Sequence, residues 1–169
     1  LKAGYDFIIV EYAGYSNDPT PTGHARTKSD VINVIDFLAE HVVSDVTVVG
    51  ESLGTGVASY HTSIAPPEKI LLISPFTNLT DMARDRFWFY PTSLLVDNAF
   101  DNVKNLSNYR GQVTIIHGGK DNLSPLELSQ ELYDSIQTEK EFILVEQAGH
   151  NDLFWHNEAF VGLNDFLLP

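Results

Sequence analysis

Apolar residues along the chain fall into short continuous runs separated by polar, glycine-rich or amphipathic stretches. Phe7-Ile8-Ile9-Val10-Glu11-Tyr12 is mostly apolar and predicts a buried parallel strand. Val46 to Val49, Lys69-Ile70-Leu71-Leu72-Ile73-Ser74, Gln112-Val113-Thr114-Ile115-Ile116-His117 and Glu141-Phe142-Ile143-Leu144-Val145 predict four more. Between the first two runs, Val31, Ile32, Val34, Ile35 and Leu38 recur at helical spacing and predict a helix from Ala25 to Val42. A helix after the second run extends to about Ser63, and Pro66-Pro67 breaks it. Ser124-Pro125-Leu126-Glu127 has the form of a helix start, with serine at the cap, proline in the first position and an acid in the first turn. That helix runs to about Ile136, and a last one covers Asp152 to Leu167. Residues 76–109, with the aromatic cluster Phe87-Trp88-Phe89-Tyr90-Pro91, predict short helices forming a small cap.

Strand and helix therefore alternate, interrupted by the cap. Such alternation predicts an α/β fold, an open and mostly parallel five-stranded sheet with helical crossovers, and sites outside the carboxyl ends of its strands. The 169 residues suit a single domain, 1–169, with one sizeable core. Charge narrows the partners. A formal net charge of -13 opposes binding to nucleic acid or to an anionic membrane surface. The absence of cysteine excludes disulfides, thiol catalysis and thiolate metal sites. No apolar run reaches the roughly 18 residues of a membrane span, and no signal peptide is visible. These features lead to the expectation of a soluble, cytoplasmic protein. Because the first residue is Leu1, the chain is expected to be trimmed, processed or part of something longer.

Candidate chemistry centres on Gly50-Glu51-Ser52-Leu53-Gly54, a Gly-x-Ser-x-Gly between a predicted strand and a predicted helix. In that setting the pattern is a nucleophile elbow, a tight strained turn that presents the serine hydroxyl above the sheet. Small residues two places to either side let the turn close and the helix pack on the strand. A serine hydroxyl needs a base, and imidazole suits the task. A carboxylate must then hold the imidazole's tautomer. Ser52, Asp121 and His150 follow the second, fourth and fifth predicted strands, so nucleophile, acid and base fall on one edge. Asp97 and Asp101 are alternative acids, whereas Asp152 reads as a first-turn acid of the last helix. His24, His41, His61 and His156 read as surface residues, and His117 as structural. Glu51 occupies the variable elbow position, where it can shape the entrance. No His/Asp/Glu spacing suggests a metal site.

Three segments, Gly50-Glu51-Ser52-Leu53-Gly54, His117-Gly118-Gly119-Lys120-Asp121-Asn122-Leu123-Ser124-Pro125 and Ala148-Gly149-His150, resemble signatures of the α/β-hydrolase superfamily. Gly4 to Tyr15 is similar to the strand and loop preceding the elbow in its small-capped esterase, lipase and acyl-thioesterase members. The resemblance implies Ser52 as nucleophile, Asp121 as acid, His150 as base, an ester or thioester substrate and no cofactor. It also exposes a gap, because the family's first strands, first helix and the oxyanion loop after its third strand have no counterpart here. Leu53 supplies one oxyanion N–H, and the second is open. Without the third strand, either residues 7–12 pair directly with residues 46–49, bringing Ala13 and Gly14 near the vacant oxyanion position, or another chain fills the space. The uncovered face and edge predict a homodimer, with a missing N-terminal portion as the rival. The functional expectation is a carboxylesterase for short to medium acyl chains. A thioesterase or lipase-like enzyme, a weakly active binding protein and a peptidase are the alternatives.

Overall fold

A computed structural model describes residues 4–12, 23–86 and 100–168, with side chains for all of these except 83–86. In chain order the elements are α1 (His24–Glu40), β1 (Thr47–Glu51), α2 (Leu53–Ile64), β2 (Lys69–Ile73), α3 (Leu79–Arg86) and α4 (Asn102–Leu106). There follow β3 (Gln112–Gly118), α5 (Leu126–Ser135), β4 (Lys140–Val145), a 3-10 turn (Leu153–Trp155) and α6 (Asn157–Leu167).

The strands form one parallel sheet in the order β1-β2-β3-β4. Successive side chains on a strand point to opposite faces, so Ile70 and Leu72 enter one core and Leu71 and Ile73 the other. The first core adds Ala58 from α2, Leu106 from α4 and Leu132 from α5. The second adds Leu153 from the 3-10 turn and Ala159 and Phe166 from α6. Burial on both faces is why β2 and β3 read as unbroken apolar runs. No helix among the described residues is long and apolar enough to cross a membrane.

Four of the five expected strands are present, and the correction concerns the first. Residues 4–12 form no strand, so the sheet is four-stranded among the described residues and β1 is its edge. Direct pairing of residues 7–12 with residues 46–49 does not occur. The segment is tied down at one end, where the Tyr5 hydroxyl donates to the Leu167 carbonyl at 2.5 Å. A cleft of about 270 Å³ then lies between it and β1, lined by Phe7, Ile8, Val10, Val48 and Val49 among others. Without a ladder partner the run stays open to solvent: Phe7, Ile8 and Ile9 are 59%, 54% and 91% exposed.

Two local expectations also change. Ser124 does not cap α5; its buried hydroxyl donates to the Pro75 carbonyl, and Pro125 takes the cap position. The last helix is broken at His156, whose extended backbone separates the 3-10 turn from α6. In the cap region the described helices are α3 and α4, whereas the aromatic cluster at 87–91 and Asp97 lie outside the described residues.

His61 is buried in α2, not on the surface, and its Nδ1 has no hydrogen-bond partner among the described residues. Burial lowers its pKa below the ordinary histidine value. Between that lowered value and the unfolded value of about 6.5 the unfolded chain binds more protons, so stability falls as pH drops through this window. The urea midpoint is expected to fall between pH 7.5 and 5.5, and to fall less in His61→Leu.

Candidate active site

The elbow is built by close packing. A Cβ on Gly50 would lie 2.6 Å from the Gly54 carbonyl oxygen and 2.7 Å from the Ala58 Cβ. Only glycine therefore lets α2 settle onto β1. Gly54 differs from expectation, since a Cβ there meets nothing within 4 Å. Ser52 has φ 50° and ψ -121°, left-handed backbone that a side chain adopts at a cost. Three hydrogen bonds hold it there. Its N–H donates to the Ile73 carbonyl at 2.8 Å, and its own carbonyl accepts from the Thr55 N–H at 2.9 Å and the Thr55 hydroxyl at 2.7 Å. Leu53 opens α2, so its N–H has no carbonyl one turn back to bond.

The acid and base loops, which follow β3 and β4, are stitched to each other. Gly119 N–H donates to Val145 and Lys120 N–H to Ala148. A Cβ on Gly118 would sit 2.6 Å from the Ala148 oxygen, so glycine is required for this approach. The contact brings Asp121 against His150, whose Nδ1 lies 2.6 Å from Asp121 Oδ2. Asp121 Oδ1 accepts the N–H groups of Leu123 and Ser124, both at 2.8 Å. Burial pushes the Asp121 carboxyl up, but the Ser124 N–H, His150 and the Leu123 N–H together hold it below its ordinary value. It is thus a carboxylate, and His150 donates to it from Nδ1, which leaves Nε2 as the proton acceptor. Asp152 steadies the base loop by accepting the Gly149 N–H at 2.6 Å.

The strand register sets Ser52, Asp121 and His150 on one edge of the sheet, after β1, β3 and β4. Among the described residues no hydrogen bond joins Ser52 to His150. Asp101 is engaged elsewhere, capping α4 through the Lys104 N–H. Ala13 and Gly14, the expected second oxyanion donors, lie outside the described residues. No group of three metal-binding side chains occurs among the described residues.

Two further features bear on the site, a buried His117 with the structural part read from the sequence and a cleft that the sequence did not show. His117, fully buried, donates from Nε2 to the Ser124 carbonyl at 3.2 Å and lies 3.8 Å from Asp121 Oδ2. Its Nδ1 is 2.7 Å from the Ser129 hydroxyl, so it braces the acid loop from below. The second feature is a cleft of about 420 Å³ beside Leu53, lined by Tyr12, Gly23, His24, Thr27, Gly54, Val57 and Phe100. His24 belongs to this cleft, not to an open surface, and the only sequence signal is its position at the start of α1.

No family model matches the chain. Among curated relatives, an uncharacterized protein of Mycobacterium tuberculosis is 26% identical over 152 residues, covering 88% of this chain and 54% of that one. Lysophosphatidylserine lipase ABHD12 of Gallus gallus is 27% identical over 158 residues, 82% of this chain and 42% of the lipase. The chain thus spans about half the length of the curated relatives it matches. Among solved structures, a bromoperoxidase from Bacillus anthracis superposes with a TM-score of 0.73 at 19% identity, over 98% of this chain and 83% of that one. An esterase from Exiguobacterium antarcticum does so with a TM-score of 0.68 at 17% identity, over 93% and 79%. The parallel sheet, the strained serine turn and these likenesses together give the chain the fold of the α/β-hydrolase superfamily, in a form with four strands among its described residues.

Proposed function

We propose that the chain is a serine hydrolase that cleaves carboxylic esters of short to medium acyl chain through Ser52, His150 and Asp121. The observation that carries the reading is the 2.6 Å pair of Asp121 with His150 Nδ1, on the sheet edge that also carries the strained Ser52. His150 Nε2 takes the Ser52 proton as Oγ attacks the ester carbonyl. The same nitrogen then protonates the departing alcohol, and in the second half-reaction it draws a proton from the water that releases the acid. Asp121 stays ionised and stabilises the imidazolium. The Leu53 N–H faces the developing oxyanion. The names of the esterase and lipase among its likenesses fit an ester substrate.

A second reading is a catalytically weak binding protein, favoured by the single oxyanion donor among the described residues. Losing one donor costs about 3 kcal/mol, or a hundredfold in rate. A 4-nitrophenyl ester series from acetate to decanoate separates the two. Turnover that peaks at short to medium chains and vanishes in Ser52→Ala supports the enzyme; no turnover with any ester contradicts it.

We also propose that a second copy covers the open β1 edge, where Val49 is 50% exposed beside the solvent-facing residues 7–9. Light scattering during size exclusion is expected to give twice the mass of 18.8 kDa. A monomer at micromolar concentration would sink this assignment.

A further inference from the structure

The residues that follow β1 and β2 share an unusual backbone. Glu51 pairs with Ile73 and Ile73 with Ile116, so the next rank across the sheet is Ser52, Ser74 and His117. The Ser74 N–H donates to the Ile116 carbonyl at 2.8 Å, as the Ser52 N–H does to Ile73. Ser74 has φ 48°, beside 50° at Ser52. A left-handed residue with a side chain is strained, and such strain persists where the surroundings hold it, often at a functional site. The proposed nucleophile accounts for the first strained serine but not for the second. The Ser74 hydroxyl oxygen is buried and makes no hydrogen bond among the described residues, which is costly.

The Asp121 carboxylate has a place for that hydroxyl. Its side chain is fully buried, and its two oxygens offer about four acceptor positions. Oδ1 accepts the Leu123 and Ser124 N–H groups, and Oδ2 accepts from His150 Nδ1. A position on Oδ2 is therefore open. His117 Nε2 is 3.8 Å from Oδ2, beyond hydrogen-bond range, and donates to the Ser124 carbonyl instead. Ser74 is tethered to the same loop, because the carbonyl of its neighbour Pro75 accepts the Ser124 hydroxyl at 3.1 Å. Burial pushes the Asp121 carboxyl up, and the Ser74 hydroxyl joins the Ser124 N–H, His150 and the Leu123 N–H in holding it down. The hydroxyl is thus near the carboxylate without being aligned to it. Hydrogen bonds of a catalytic site are often long or poorly aligned without substrate and tighten in the reacting complex.

We propose that Ser74 is a positioning residue of the triad, whose hydroxyl donates to Asp121 and holds the carboxylate toward His150. The effect on rate rests on the proposed hydrolysis at Ser52. The test uses Ser74→Gly, which meets the left-handed turn without strain, and Ser74→Ala, which keeps the strain; both lack the hydroxyl. With 4-nitrophenyl butyrate, both are expected to lower kcat about tenfold at unchanged KM, the low end of what one hydrogen bond to a charged group is worth. A serine needed only for the turn predicts full kcat in Ser74→Gly. Urea titrations between pH 6 and pH 2 test the pairing apart from activity. His150 and His117 are the titratable groups beside Asp121, and both variants keep them. The depressed Asp121 pKa gives stability that is lost as pH falls through its folded value, and removing a donor raises that value toward the unfolded one. The acid loss is therefore expected to shrink in Ser74→Gly, and Ser74→Gly is expected to change it no further in an Asp121→Asn background. Full kcat in Ser74→Gly, or an acid loss equal to that of the unmodified protein, overturns the proposal. Failure of the folded, unmodified protein to cleave any ester overturns hydrolysis at Ser52 and the effect on rate with it, while the urea titrations still decide whether Ser74 pairs with Asp121.

Discussion

Asp121→Asn is expected to lower kcat for ester hydrolysis by about 10⁴-fold with the fold intact. The amide keeps the shape of the carboxylate but cannot hold His150 with its proton on Nδ1. It also cannot stabilise the imidazolium formed when Ser52 gives up its proton. His150→Ala should cost at least as much, because it removes the base itself. The same substitution carries a stability signature. The Asp121 pKa is depressed in the folded protein, so its contribution is present above the unfolded carboxylate value of about 3.9. That contribution is lost as pH falls through the lower folded value. Urea titrations between pH 6 and pH 2 should therefore show a component of acid destabilisation that Asp121→Asn lacks. An equal slope in both proteins would mean that the buried pair does not hold the carboxylate as described.

Gly118→Val is the second large effect, and it falls on the fold. Its Cβ would meet the Ala148 oxygen at 2.6 Å and the Gly149 oxygen at 2.8 Å, both backbone atoms that cannot rotate away. Relief requires the loops carrying Asp121 and His150 to part. Overpacking of this kind costs about 3 kcal/mol, which for a chain of this size lowers Tm by about 6–12 °C. Gly54→Ala is the matched control. Its Cβ meets nothing within 4 Å, and alanine is the better helix former by about 1 kcal/mol. Calorimetry should show Tm falling in the first variant and holding or rising in the second.

Legibility in the sequence followed how much of each signal is local. β2 and β3 were plain because both faces are buried, and a strand buried on both faces has no polar alternation to obscure it. The places of Ser52, Asp121 and His150 at strand ends were legible because each follows a strand in a short glycine-containing loop. Residues 7–12 have the same composition as the buried strands. Whether such a run becomes a strand depends on a neighbour to pair with, which composition does not encode. Ser124 illustrates the same limit. Its sequence context fits a helix cap, yet the Pro75 carbonyl lies within 3.1 Å and takes its hydroxyl. His24 and His61 looked like surface histidines because helical spacing alone does not say what lies opposite a helix.

The central claim is that Ser52 is a nucleophile activated by His150. The most direct measurement is covalent labelling with a fluorophosphonate probe, followed by mass spectrometry of the digested protein. One equivalent is expected on the peptide containing Ser52, with labelling abolished in Ser52→Ala and slowed at least a hundredfold in His150→Ala. A folded protein that takes up no probe, or whose label maps to another residue, would contradict it.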